Sequence, residues 1–353
     1  MRTPSKLYFI KVSRQAHSTP VLDPVVVARN KAQGRETTLL LDTNVLIRME
    51  RAVKAGNSWG DVRSWSLDKL VKFLSRCPAK SVCLSPGFAF NEMPPGRAEA
   101  SRKDFETFVE KHLPAFADTP NSTRNAYHGK TNDFGFEDLT AEHQSVLAPS
   151  FASLLHMLLI EYRSTATPIA KFQLLLDRLV ATLDLLSLKE VEVARYLFAR
   201  TGSEGTPTLE SMKVLRKNFA KTKDKNVPKT AHEVLQIAFN GACDLHLMNA
   251  AARMDGHGLD GAPQDAWIAT FDGKLAEFCS IFHYIDDGEN TGMFGVMDLN
   301  AEQMDVPYWR ESLALREHLV TSRLARQAPV DLEHCRMVAH QMIAEVRQQF
   351  APA

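Results

Sequence analysis

Apolar positions along the chain fall into two kinds of run. Short, nearly continuous aliphatic stretches bounded by turn residues read as buried strands, and longer stretches with apolar residues every three or four positions read as helices. The first strand is the run TTLLLDTNVLI from Thr37, aliphatic up to the polar triplet Asp42, Thr43 and Asn44, with a helix expected soon after it. Residues 81 to 86, SVCLSP, form the second, and Pro86 and Gly87 turn it into a short helix, GFAFNEM, that carries Glu92 within its first turn or two. Between them Val62, Trp65, Leu67, Leu70, Val71 and Leu74 are spaced as in a crossover helix. A strand, helix, strand unit implies parallel pairing. AWIATFD, residues 266 to 272, is a third buried strand ending in Asp272, and GKLAEF begins the helix behind it.

The middle of the chain is helical in pattern. Residues 141 to 200 hold two long runs, AEHQSVLAPSFASLLHMLLIEYRS and IAKFQLLLDRLVATLDLLSLKEVEVARYLFAR, parted by Thr167 and Pro168. TAHEVLQIAFNGACDLHLMNAAARM, residues 230 to 254, is a further helix with Asn240 and Gly241 as the place for a bend or break just before Asp244. A strand at Gly292 to Met297 and an amphipathic helix from Asp331 to Phe350 close the chain. The expected organisation is a basic N-terminal extension over residues 1–36, an α/β domain over 37–300 in which 95–230 form a mainly helical insertion, and a C-terminal helical segment over 301–353. No internal repeat or low-complexity tract interrupts it.

Composition adds a constraint on partners. Hydrophobic residues are 44% and charged residues 24% of 353, the balance of a folded globular chain. Lys plus Arg and Asp plus Glu both count 42, so no global field draws the chain to nucleic acid or to an anionic membrane, and a polyanion site has to be local. Two stretches are candidates. Residues 1 to 35 hold Arg2, Lys6, Lys11, Arg14, Arg29, Lys31 and Arg35 against Asp23. Residues 207 to 230 hold Lys213, Arg216, Lys217, Lys221, Lys223, Lys225 and Lys229 against Glu210 and Asp224. For each, a solvated face or frayed terminus competes evenly with a phosphate-contacting surface, and Lys213, Lys217, Lys221 and Lys223 are the named candidates for nucleic-acid contact. Five scattered cysteines, odd in number and never C-x-x-C, argue against a disulfide framework or zinc ribbon and suit a reducing cytoplasm. The apolar LYFI near the start is broken by charges on both sides, and no run of about twenty apolar residues reads as a membrane span.

The chemistry concentrates in carboxylates. Each of the three strand runs ends at, or leads within one short helix to, an acid. In an open parallel sheet the carboxyl ends of the strands share one edge, where ligands bind. Asp42, Glu92 and Asp272 belong to that edge, and Asp244 projects toward it from its helix. Converging carboxylates repel one another, and a hard divalent cation relieves the repulsion while serving phosphodiester hydrolysis.

These residues resemble the PIN-domain nucleases, whose chains open with a hydrophobic strand ending in D-T-N or D-T-S, as LLLDTNVLI does from Leu39 to Ile47. SPGFAFNE is similar to the family's second element with Glu92, DLHLMNAA from Asp244 to its D-x-x-[LIM]-x-x-x-A helix, and TFDGKL to its [ST]-x-D-x-x-[LF] element with Thr270 and Asp272. The resemblance covers residues 37 to 92 and 231 to 280, about half the chain, and departs in the length between Glu92 and Asp244. It implies an α/β fold of three layers, α/β/α, with a central parallel sheet and a large helical insertion. It also implies Mg²⁺ or Mn²⁺ held by Asp42, Glu92, Asp244 and Asp272, with Asn44 and Thr270 orienting a carboxylate or a water. The implied activity is endonucleolytic cleavage of RNA to 5′-phosphate and 3′-hydroxyl ends, in a toxin or defence effector or in a housekeeping enzyme. Single-stranded DNA stays open as a substrate, and so does a homo-oligomeric or regulatory partner bound through the helical insertion.

Other readings stand beside it. Asp42 and Asp272 are also what a strand-end turn or helix cap needs. His232 and His246 lack partners at zinc spacing and read as packing or surface residues, and Cys243 reads as packed rather than nucleophilic. A phosphatase of the haloacid dehalogenase type would need Asp at the position of Asn44. A non-catalytic scaffold that binds RNA or protein is the remaining alternative, weakened by the presence of all four acids.

Overall fold

Every side chain from Thr37 to Leu41 is buried, and so is every one from Gln264 to Thr270. Strands without a solvated face fit only in the interior of a covered sheet. In the computed structural model they are β3 (Glu36–Leu41) and β5 (Gln264–Thr270), neighbours in a four-stranded sheet of order β1-β5-β3-β4, with β1 at Tyr8–Ile10 and β4 at Val82–Ser85. The structure describes residues 6–14, 18, 20–116, 134–199, 210–222, 226–258, 261–285, 293–295, 306–324 and 329–351. β3 pairs parallel with both β4 and β5, while β1 pairs antiparallel with β5. The sheet is therefore mixed, in place of the wholly parallel one expected. The difference comes from the N-terminal residues, which supply an edge strand where an extension outside the domain was expected. A second, smaller sheet joins β2 (Ser13–Arg14), β6 (Tyr284–Ile285) and β7 (Met293–Gly295), the last within the strand expected at 292–297.

Two compact units are formed. Met1–Thr140 with Leu247–Gly295 make the first, and Ala141–His246 with Val296–Ala353 the second. The helical part accordingly begins at Ala141 and not at residue 95, and the C-terminal helices belong to it.

In the first unit α1 (Pro24–Ala32), capped by the Asp23 carboxylate on the Val25 and Val26 amides at 2.8 and 2.9 Å, packs on β3. α2 (Thr43–Lys54) leaves the end of β3 and buries Val45, Leu46 and Met49. The expected crossover helix is two helices, α3 (Trp59–Ser64) and α4 (Asp68–Leu74), because Ser66 between them takes φ 62° and turns the chain. α5 (Gly87–Asn91) and α6 (Pro95–His112) follow β4, and α12 (Gly273–Ile281) follows β5.

Lys11, Arg14, Lys31 and Arg35 of the basic N-terminal stretch make internal contacts. Lys11 Nζ lies 2.6 Å from both Asp255 and Asp265, Arg14 donates to the Cys279 and Ser280 carbonyls at 3.3 and 2.9 Å, and Arg35 donates to the Gln264 carbonyl at 2.9 Å. Lys31 reaches the Ala79 carbonyl at 2.8 Å. These contacts tie the described part of the stretch to the fold in place of a frayed terminus, while Lys6 and Arg29 are exposed and Arg2 lies outside the described residues.

The second unit contains α7 (Ala141–Arg163), α8 (Pro168–Arg178), α9 (Leu188–Phe198), α10 (Glu210–Phe219), α11 (Ala231–His257) up to His246, α13 (Pro307–Leu324) and α14 (Leu332–Gln349). The second of the two expected long helices is broken. After α8 a π-helical turn, Leu179–Leu183, ends at Asp184 with φ 49°, where Thr182 donates back to the Arg178 carbonyl at 2.8 Å. Arg195 binds the C-terminal segment through Ser312 Oγ at 2.9 Å and the Trp309 carbonyl at 3.0 Å, which is how residues beyond 306 join this unit. Among the described residues α7 is the one helix long and apolar enough to cross a membrane, and 67% of that window is buried inside the fold.

α11 runs unbroken through Asn240 and Gly241. A Cβ at Gly241 would lie 2.8 Å from Phe219 Cδ1 and 3.0 Å from Leu154 Cδ1, so close packing, not a bend, requires glycine there. Gly241→Val is expected to cost about 2–3 kcal/mol by overpacking, seen as a lower urea midpoint for the helical signal. An unchanged midpoint would show that Phe219 and Leu154 yield freely.

Candidate active site at the sheet edge

The parallel register sets the site. Leu41 pairs with Ala269 and Leu40 with Ser85, so the three strands end level with one another and each chain turns into a helix there. The Asp42 amide donates to the Ala269 carbonyl at 3.1 Å, the last rung of the β3–β5 ladder. Asp42 then caps α2 by accepting from the Asn44 amide, and Asp272 caps α12 by accepting from the Lys274 amide at 2.7 Å. The structural role open to both aspartates from sequence is thus realised.

A second layer of hydrogen bonds goes beyond capping. Thr270 Oγ1 donates to Asp42 Oδ2 at 2.5 Å and accepts from the Asp272 amide at 2.8 Å. Asn44 Nδ2 donates to Asp42 Oδ2 and, at 3.0 Å, to Thr270 Oγ1, while Asn44 Oδ1 accepts from the Phe271 amide at 2.8 Å. Asn44 and Thr270 therefore staple the ends of β3 and β5 together and fix the Asp42 carboxylate between them. Thr43, which sequence reasoning passed over although it sits in the same triplet, donates to Glu92 Oε2 at 2.6 Å. Glu92 is the C-cap residue of the five-residue α5, within the first two turns as expected.

Electrostatics link the acids in pairs. Burial pushes Asp42 up to about 6, with the charge of Asp272 adding to it against the hydrogen bonds from Thr270 and Asn44. Burial and then the charge of Asp42 push Glu92 up to about 8, against the bond from Thr43. Both side chains are only partly open to solvent. As they stand, however, no three His, Cys, Asp or Glu side chains among the described residues are grouped closely enough to hold a metal ion. Each acid is held by its own local donors, Asp42 by Asn44 and Thr270, Glu92 by Thr43, and Asp272 by the start of α12. The ligand atoms on offer are all hard oxygens, the set that Mg²⁺ and Mn²⁺ prefer, and the two raised carboxylates are the deficit a divalent cation offsets.

Of the other expected residues, Asp244 is half-buried on the part of α11 that belongs to the second unit. Cys243 beside it is buried, and burial, with Lys189 and His143 nearby, pulls His246 down to about 4, as suits a packed neutral imidazole. Lys213 and Lys221 are exposed, Lys217 is half-buried, and Lys223 lies outside the described residues. Arg216 of the same helix turns inward to Glu161 at 3.0 Å.

Glu92 carries a pH prediction. Its folded value exceeds the ordinary one, so between about 4.5 and about 8 the folded chain binds more protons than the unfolded, and stability falls as pH rises through that window. Glu92→Gln, assayed without divalent cations, is expected to raise the thermal midpoint by several degrees at pH 8.5 and to leave it unchanged at pH 4.5. Equal midpoints at pH 8.5 would remove the claim that Glu92 is held against its charge. Comparisons with family models, with curated proteins and with solved structures return no match for this chain.

Proposed function

We propose that the chain is a metal-dependent nuclease of the PIN type that hydrolyses RNA phosphodiester bonds at the β3–β5 edge. One observation carries the reading: Asp42 and Asp272 stand at the level ends of adjacent parallel strands, stapled by Asn44 and Thr270, with Glu92 electrostatically coupled to Asp42. Three acids kept in mutual repulsion cost stability, and a fold serving only its own packing would replace them with neutral caps.

Asp42, Glu92 and Asp272 would hold Mg²⁺ or Mn²⁺. The bound cation would supply positive charge to the phosphate and acidify an attacking water. The chain's own part is to orient. Asn44 and Thr270 hold the Asp42 carboxylate in place, Thr43 does the same for Glu92, and Glu92 would serve as a ligand in its ionised form. In-line hydrolysis would leave a 5′-phosphate and a 3′-hydroxyl. A three-layer α/β/α arrangement around the mixed sheet and a cytoplasmic setting, where the described cysteines stay free, belong to the same reading. The role is that of a toxin or defence effector or of an RNA-processing enzyme, with single-stranded DNA as a second substrate and a regulatory or self-association partner for the helical unit.

The test is incubation of the purified chain with labelled single-stranded RNA in Mn²⁺ and in EDTA. Cleavage in Mn²⁺ alone, with 5′-phosphorylated fragments, is expected. Binding without cleavage under both conditions would favour the scaffold reading.

A further inference from the structure

α2 carries more than the first two residues of the acidic site. Asn44, Arg48 and Arg51 recur at intervals of four and three, which places them on one face of the helix at successive turns. The Arg48 guanidinium lies over the ring of Phe271, 4.0 Å from its centroid, and Phe271 is the residue between Thr270 and Asp272. Arg48 Nη1 also donates to the Trp65 carbonyl at 2.9 Å. The exposed Arg51 guanidinium lies over the ring of the same Trp65, 5.1 Å from its centroid. Trp65 is presented by the turn in which Ser66 holds φ 62°, a left-handed conformation unfavourable for a side chain with a Cβ.

Two guanidinium groups are thus laid on aromatic rings along one face of α2, the first of them over the residue between Thr270 and Asp272. Burial lowers Arg48, and the like charge of Arg51 lowers it further. Two cations held near one another on one helix face make that face locally positive, which an anion lying against it would stabilise. The planar fork of arginine matches a phosphate in two-point contact, and its stacking on a ring fixes the direction in which that fork points.

We propose that Arg48 and Arg51 form a phosphate track that seats the nucleic-acid backbone next to the acidic site, with the cleaved phosphate at Asp42 and Asp272 and its neighbours along α2. The track rests on the nuclease reading for its place in a reaction, but its binding stands apart from cleavage. A polyanion run along alternating cations and aromatic rings is the usual way single strands are held without reading their sequence.

Affinity for a short single-stranded RNA is measured in EDTA, where no cleavage occurs, at several salt concentrations. Arg51→Glu is expected to weaken binding by about tenfold or more and to reduce the slope of log K against log salt by about 0.7 for each phosphate that is no longer neutralised. Arg48→Lys keeps the charge but removes the flat fork, and is expected to weaken binding several-fold. Lys31→Glu makes the same net charge change at the opposite end of the strands, where Lys31 meets Ala79, and is expected to alter neither quantity. A DNA strand of the same sequence should lose as much affinity as RNA in Arg51→Glu, since the phosphates are shared. Arg51→Ala, which only truncates an exposed side chain, replaces Arg51→Glu if the latter lowers the thermal midpoint. If Arg51 variants bind like Lys31→Glu, with the same affinity and slope, the track is overturned even where Mn²⁺-dependent cleavage persists. If the wild type fails to cleave while Arg51→Glu still loses binding, the nuclease reading fails and the track stands.

Discussion

Replacing Asp42 or Asp272 by Asn is expected to cut Mn²⁺-dependent cleavage of single-stranded RNA by on the order of a thousandfold or more, with the chain still folded. The substitution removes one negative charge and leaves the shape. At position 42 the amide oxygen still accepts from Thr270 and Asn44, and at 272 it still accepts from the Lys274 amide, so both caps survive. Relieving the repulsion at Asp42, whose folded value of about 6 lies above the ordinary one, makes each variant as stable as the parent or more so above pH 6. Lost activity therefore cannot be put down to lost structure. Thr270→Val tests the layer behind: it deletes the hydroxyl that bridges Asp42 and the Asp272 amide while keeping a β-branched residue buried in β5. A loss of about 10- to 100-fold is expected there, as for groups that orient a ligand without touching the ion. Full activity in both purified aspartate variants would end the assignment.

Lys11→Met should be strongly damaging, at about 3–5 kcal/mol near neutral pH. The ammonium group bridges Asp255 and Asp265 at 2.6 Å each, and all three side chains are largely buried. Asp255 Oδ1 is also bonded to the Ala266 amide at 2.8 Å and Asp265 Oδ2 to Asn30 at 2.6 Å, so neither carboxylate can swing out without breaking further hydrogen bonds. Burial already pushes Asp255 up to about 6 with Lys11 in place, and taking the cation away drives it higher. Folding then takes up protons that the unfolded chain releases, so the deficit is largest above pH 7 and shrinks toward pH 4. Denaturant midpoints of the two proteins at pH 7.5 and 4.5 measure it. A deficit that stays constant with pH would mean that packing of the Lys11 stem, and not its charge, ties β1 to the sheet.

The strands, the acids at their ends and the short helix before Glu92 were legible because each is a local pattern: a strand buried on both faces is aliphatic throughout, and a strand-to-helix turn needs a capping acid. The sequence also marked Asn44 and Thr270, since both lie within two positions of those acids. It could not show that Asn44 bonds to Thr270 across 226 positions, because that bond exists only once β3 and β5 lie side by side in register. Nor could it give the destination of a charge. Lys11 and Arg14 look like a basic tail, yet Lys11 is largely buried between two acids and the half-buried Arg14 is tied to the Cys279 and Ser280 carbonyls, partners that only the fold brings near. Gly241 looks like a helix breaker until Phe219 and Leu154 are seen packed on it. Local propensity and periodicity decide which residues form strands, helices and caps, since those depend on neighbours in the chain. Register, the mixed sheet and the pairing of the acids were decided by tertiary structure, because burial and Coulomb interaction act between groups that are close in space whatever their separation in sequence.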